Sequence, residues 1–214
     1  MSTAYKILSS ILQERIAPYA KTIIGQYQCG FIPGKSTTDQ IFTLRQAMEK
    51  CLEFNIPTYH LFIDFKAAYD SIARVELYKA MREFGIPNKL TRLCRLTMTN
   101  VTSQVKKAGL LSRPINIFNG LRQGDGLACL LFNLALEKAI RYSGTATRGT
   151  IVNRSSQILA YADDIDIIGR TEQAVHDSFI MLLSNARRTV DQTIKVAEHE
   201  FEVLQSFKYL RSIV

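Results

Sequence analysis

The 214-residue chain is poor in several of the features that would place it quickly. No apolar run approaches the 18 or so residues a membrane helix needs, and no signal peptide opens the chain, so an intracellular protein with no membrane partner is expected. The four cysteines, Cys29, Cys51, Cys94 and Cys129, are widely separated and show no paired metal spacing, so they read as reduced, buried small hydrophobes. His60, His176 and His199 show no ligand spacing either. Internal repeats, low-complexity tracts and clear linkers are lacking. Acid is scarce in the middle of the chain: residues 71–150 hold 13 Lys and Arg against 4 Asp and Glu. The flanks are near neutral, 7 against 6 in residues 1–70 and 7 against 9 in residues 151–214. That basic centre suits a polyanion such as nucleic acid, or is simply a solvated helix surface.

What is present is ordinary for a globular protein: 47% hydrophobic and 21% charged residues, in a length that suits one domain or one and a fraction. Ile7, Leu8, Ile11, Leu12 and Ile16 recur at helical spacing, in a helix that Pro18 should limit. Thr37 with Gln40 forms a capping box for a second helix, whose apolar stripe is Ile41, Leu44, Met48 and Cys51. The run 59–65 reads as a strand ending in Asp64. Helices follow at about 74–84 and 88–98, with Asp70 read as the cap of a helix beginning near Ser71 rather than as a metal ligand. A weakly alternating hairpin covers 101–107 and 113–118. GLRQGDGLACLLFNLALEKAIRYSG is a loop feeding a long apolar helix, and another helix spans about 172–189, with Val175, Phe179, Leu182 and Ala186 on one face. The strand-like FEVLQSFKYLRSIV closes the chain. Helices on a small, mostly antiparallel sheet make the class α+β.

Between the last two of these helices stands LAYADDIDIIGR. Ile158–Ala162 and Ile165–Ile168 look like buried strands, yet Asp163 and Asp164 sit between them. Burying an unpaired ion costs several kcal/mol, and adjacent like charges raise that cost. Either the acids make an exposed hairpin tip, or they await a cation. Asp64 ends another apolar strand about a hundred residues earlier. If the strands are neighbours, three carboxylates converge, a set that suits hard divalent ions such as Mg²⁺. Asp166 is expected to face solvent or to pair with Arg170.

These residues resemble a known family. LAYADDIDIIG is similar to the catalytic hairpin of reverse transcriptases, and HLFIDFKAAYDS to their first catalytic strand. GLRQGDGLACLLFNLALE resembles the template–nucleotide loop and helix, and QCGFIPGKSTTDQI the fingers segment of non-LTR (LINE-type) retrotransposon enzymes. The four motifs stand in the family's order over roughly residues 5 to 170. The resemblance implies a polymerase-type palm with helical fingers, residues 1–57 being the first part of the fingers and 58–214 the palm, with inserted fingers elements at about 74–118. It implies an RNA-directed DNA polymerase with an RNA template, a DNA primer, deoxynucleoside triphosphates and two Mg²⁺ ions, Mn²⁺ being able to substitute, and a nuclear location.

By the same resemblance Asp64, Asp163 and Asp164 are catalytic, with metal held by Asp64, Asp163 and the Phe65 carbonyl. Tyr69 lies under the incoming sugar, unless it is a core aromatic. Gln123 and Gly124 line the nucleotide pocket, although Gln123 could instead cap the next helix. Lys35 meets triphosphate or template, or is a solvated loop charge. Within the basic centre, Arg122, Lys106 and Lys107 are expected to contact nucleic acid. Several positions depart from the family pattern. Ile32 stands where many relatives have Arg, only Lys195 lies near the usual basic strand, and Arg211 replaces a Gly. No thumb, endonuclease domain or zinc knuckle is recognised, which leaves a palm-and-fingers piece. The alternative function is a catalytically inactive nucleic-acid-binding remnant of this fold.

Overall fold

Why the long apolar stretch at 126–142 becomes a central helix is plain from its composition: Leu and Ala recur on every side of it. A computed structural model describes residues 2–65, 67–122, 124–143, 147, 149–189, 208–210 and 212–213. In it α5 (Gly126–Tyr142) starts where the Asp125 side chain accepts the Ala128 amide at 2.7 Å, an N-cap, and twelve of its residues are buried. A helix apolar all round belongs inside a core. Around it pack α1 (Thr3–Ile23), α3 (Arg74–Glu83) and α6 (Glu172–Thr189), with α4 (Asn88–Thr97) lying against α1 and α3.

Helix α1 runs through Pro18 instead of stopping there. Proline removes one backbone bond, to the carbonyl of Glu14, but both residues are exposed on the solvent side, where water can replace it. Burial of Ala20 and Ile23 carries the helix onward. Of the expected apolar stripe, Leu12 and Ile16 are buried while Ile7, Leu8 and Ile11 are exposed. Helix α2 (Thr37–Glu53) is capped one residue earlier than expected: Ser36 accepts the Asp39 amide and Asp39 accepts the Ser36 amide, a complete capping box. Helix α3 starts at Arg74 with Ala73 at its N-cap and no side-chain cap, so Asp70 lies too early to cap it.

Strands β1 (Tyr59–Ile63), β6 (Ser156–Tyr161) and β7 (Asp164–Gly169) form an antiparallel sheet in the order β1-β7-β6. Between α4 and α5 an exposed antiparallel hairpin pairs β2 (Thr102–Ser103) with β5 (Ile115–Asn116), and β3 (Lys106–Lys107) with β4 (Leu110–Leu111). A two-stranded turn, β8 (Lys208–Tyr209) with β9 (Ser212–Ile213), ends the described chain.

Side chains alternate along a strand, so register sorts them onto faces. Leu61, Ile63, Ile158, Ala160, Ile165 and Ile167 lie on one face, in the main core beneath α1, α5 and α6. Phe62, Leu159 and Ile168 lie on the other, in a smaller core with Leu44 and Cys51 of α2, Ile151 and Tyr209. Asp166 is on this second face. It neither meets solvent nor pairs with Arg170: it is wholly buried, with His60 Nδ1 3.2 Å from its carboxylate, and Arg170 donates to the Ile151 and Val152 carbonyls instead.

Candidate active site

The hairpin β6–β7 turns in two residues, Ala162 and Asp163, between the paired Tyr161 and Asp164. Ala162 takes φ 56°, the left-handed region, which costs a residue with a Cβ roughly 1–2 kcal/mol. On the other side of β7, the last paired residues are Ile63 and Ile165. One step further, Asp64 and Asp164 follow on from this pair at the same end of the sheet, on the same face by parity. Their charges are felt: burial pushes the Asp164 carboxyl above the usual carboxylate range, and Asp163 and then Asp64 push it further. The Tyr69 hydroxyl is likewise raised, chiefly by burial, with Cys129 and then Asp163 contributing. Asp64, Asp163, Asp164 and Tyr69 thus share one electrostatic neighbourhood at the mouth of the hairpin.

Among the described residues no three His, Cys, Asp or Glu side chains form a ready-made metal-holding group. The donor set nevertheless has the chemistry of one. Burial and the neighbouring charges of Asp163 and Asp64 make Asp164 costly to ionise, and a divalent cation is what relieves such repulsion. Asp64 is exposed and Phe65 half-buried, at the open end of β1. Tyr69 is half-buried, stacked on Phe132 of α5 with ring centroids 4.8 Å apart, and its hydroxyl meets the weak Cys129 thiol without a well-formed hydrogen bond.

The remaining expected residues are placed as follows. Gln123 lies outside the described residues. Gly124 is exposed at φ 98°, a left-handed turn beside α5. Lys35 donates to the carbonyls of Gln26 and Gln28 at 2.7 and 2.8 Å, stapling the loop it sits in. Arg122 is half-buried with its guanidinium 4.7 Å above the Tyr5 ring. Lys106 and Lys107 are exposed on the 101–118 hairpin.

The basic centre is partly structural. Arg74 is buried and donates to the carbonyls of Gly120, Met98 and Ile117. Lys79 pairs with Glu76, Lys138 with Glu76 and Glu83, and Arg141 with Glu137. Of these cations Arg74 is committed within the fold, whereas Lys79 stays half-exposed in a surface pair.

Two polar groups were not singled out from the sequence. Glu137, buried in α5, accepts from the Gly25 amide at 2.9 Å and from the Tyr27 hydroxyl, tying the end of α1 to the core. The segment 27–30 then lies along the edge of β6: Ala160 donates to the Tyr27 carbonyl at 2.9 Å and Cys29 to the Ala160 carbonyl at 2.8 Å. A polar Gln-Tyr-Gln-Cys-Gly run just after a helix was the available signal, but which strand edge it meets is not local information.

A family model described as reverse transcriptase (RNA-dependent DNA polymerase) matches residues 1–211, and the chain belongs to that family. Within it the chain is a reverse transcriptase domain of the non-LTR retrotransposon kind, with an α+β polymerase fold. It is 30% identical over 111 residues to the Pol polyprotein from type-1 retrotransposable element R2 of Popillia japonica, covering 50% of this chain and 18% of that one. It is 22% identical to the type-2 element R2DM Pol polyprotein of Drosophila melanogaster, covering 69% and 14%. To the transposon TX1 149 kDa protein of Xenopus laevis it is 21% identical, covering 79% and 13%. The chain thus spans less than a fifth of the length of these relatives. Among solved structures, telomerase from Candida albicans, in complex with a fragment of telomeric RNA, matches 97% of this chain and 35% of that one with a TM-score of 0.60. At 14% identity that likeness speaks for the fold alone. Among the described residues no helix is long and apolar enough to cross a membrane.

Proposed function

We propose that the chain carries the polymerising centre of an RNA-directed DNA polymerase, copying an RNA template onto a DNA primer. The observation that carries this reading is the placement of Asp64 and Asp164 at one end of the sheet, with Asp163 in the adjoining turn. Asp64 and Asp163, with the Phe65 carbonyl, would hold two Mg²⁺ ions, or Mn²⁺ in their place. When bound, such ions lower the charge barrier of phosphoryl transfer at the attacking and leaving oxygens. The chain's own share is to fix the carboxylates on a rigid hairpin, so that their aim does not have to be found during the reaction. Tyr69, braced on Phe132, would offer a ring edge to the sugar of the incoming deoxynucleotide, beside Gly124 and Gln123. Lys106 and Lys107 on the exposed hairpin, with Arg122 and Lys35, would meet nucleic acid. Residues 1–57 would be the first part of the fingers and 58–214 the palm, with 74–118 inserted, and the family likeness favours a nuclear site of action.

The test is extension of a primer on an RNA template with Mg²⁺, comparing the chain with its Asp163→Asn variant. Extension that depends on Asp163 supports the reading. A chain that binds RNA with the steep salt dependence of phosphate contacts, yet extends no primer under any divalent ion, would instead be the non-catalytic remnant.

A further inference from the structure

We infer that Gln28 is a positioning residue for Asp163, acting through the peptide of Ala162; the inference rests on the proposed role of that turn. The Gln28 carboxamide is buried, at 1% exposure, and is spent entirely on backbone. Its Oε1 accepts the Ala162 amide at 2.8 Å and the Gly30 amide at 2.7 Å, while its Nε2 donates to the Ala162 carbonyl at 3.2 Å. Both backbone polar groups of Ala162 are therefore held by one side chain from a segment 134 residues away. Ala162 is the residue that occupies the left-handed region, and such a conformation persists only where the surroundings over-determine it. Asp163 is the next residue, so its Cα–Cβ direction follows from how that peptide is set.

The clamp itself is anchored. Asn133, at 2% exposure on α5, donates to the Gly30 carbonyl at 2.8 Å. A Cβ on Gly30 would stand 2.0 Å from the Ala162 nitrogen, a backbone atom, so only glycine allows this approach. A chain of fixed hydrogen bonds thus runs from the central helix through Gly30 and Gln28 to the turn. The ordinary alternative is that Gln28 merely supports the sheet edge. Against it stands the separate set of backbone bonds from Tyr27 and Cys29 to Ala160, which secures that edge without the side chain.

The test uses Gln28→Met, which keeps the length and roughly the volume but none of the three hydrogen bonds. Three quantities are read: amide hydrogen exchange residue by residue, primer extension as kcat and nucleotide KM, and the Mg²⁺ concentration giving half-maximal extension. Expected are faster exchange of the Ala162 amide by about tenfold or more, with Ile165 and Ile167 unchanged. A kcat lower by roughly ten- to a hundredfold is expected, with nucleotide KM within about threefold and a raised Mg²⁺ requirement. Gly30→Ala should act in the same direction. Unchanged Ala162 exchange, or exchange raised through the whole sheet, overturns the positioning role. So does full extension by Gln28→Met where Asp163→Asn has lost it. Should Asp163→Asn extend as well as the parent, the catalytic reading fails instead, and the exchange data still decide whether Gln28 holds the turn.

Discussion

The two faces of the three-stranded sheet differ in kind. One is aliphatic throughout: Ile158, Ala160, Ile165 and Ile167 are buried against α1, α5 and α6. The other mixes Phe62, Leu159 and Ile168 with Asp164, Asp166 and His60, under α2 and Tyr209. Apolar burial contributes about 25 cal/mol per Å² removed from water, whereas each acid on the second face must be paired or relieved. The first face holds the hairpin up; the second carries groups that cost stability and that only an ion, a partner side chain or a substrate completes. This is how consistency across levels is expected to fail at a functional site.

The sharpest way to break the comparison is Asp163→Asn. It should abolish RNA-templated extension, by at least about a hundredfold, while thermal stability and nucleic-acid binding stay near those of the parent. A variant that still extends would take the turn out of the chemistry.

Ile165→Ala tests the other face. Ile165 is fully buried in the main core, and its truncation should lower unfolding free energy by about 2–5 kcal/mol, read by denaturant melting. A loss below about 1 kcal/mol would mean that this face repacks and is not the stabilising one.

Tyr69→Val sits between the faces in consequence. If the ring meets the incoming sugar, competing incorporation should shift towards ribonucleotides in the active protein. If Tyr69 serves only as the partner of Phe132, the ratio will hold and stability alone will drop.

The smallest effect is expected from Asp166→Asn. Burial raises the Asp166 carboxyl, which His60 only partly offsets, and one of its oxygens has no partner among the described residues. A carboxyl raised on folding gives stability that is fully present below its unfolded value near 3.9 and is lost as pH rises through the folded value. The neutral amide escapes that loss. Asp166→Asn should therefore be neutral or stabilising at pH 7, by on the order of 1 kcal/mol, with the difference fading towards pH 4. A variant less stable at every pH would show that the His60–Asp166 pair stabilises this face in its charged form.

Local pattern carried far in this chain. The apolar run of α5, the hairpin around Asp163, the Val175–Phe179–Leu182 stripe and the 101–118 hairpin are all legible because helix and strand periodicity are properties of neighbouring residues. Pro18 misled because a proline on a solvent face loses a bond that water can replace. The cap moved from Thr37 to Ser36 because both can serve, and Asp39 supplies the reciprocal bond that decides between them. Asp166 misled for a different reason. An acid next to an aliphatic run reads as exposed until a partner is known, and His60 lies 106 residues earlier in the chain.

By itself the sequence determined the α+β class and the family motifs with their order, because these depend on residue type and short spacing. Which acid faces which, and which cations are already taken, was decided by the tertiary structure. The β1–β7 register sets Asp64 beside Asp164, burial turns Arg74 into a brace for three carbonyls, and Gln28 reaches across 134 residues to hold Ala162. Pairings of that length are fixed only when the core closes, since bringing distant segments together costs entropy that no local pattern records.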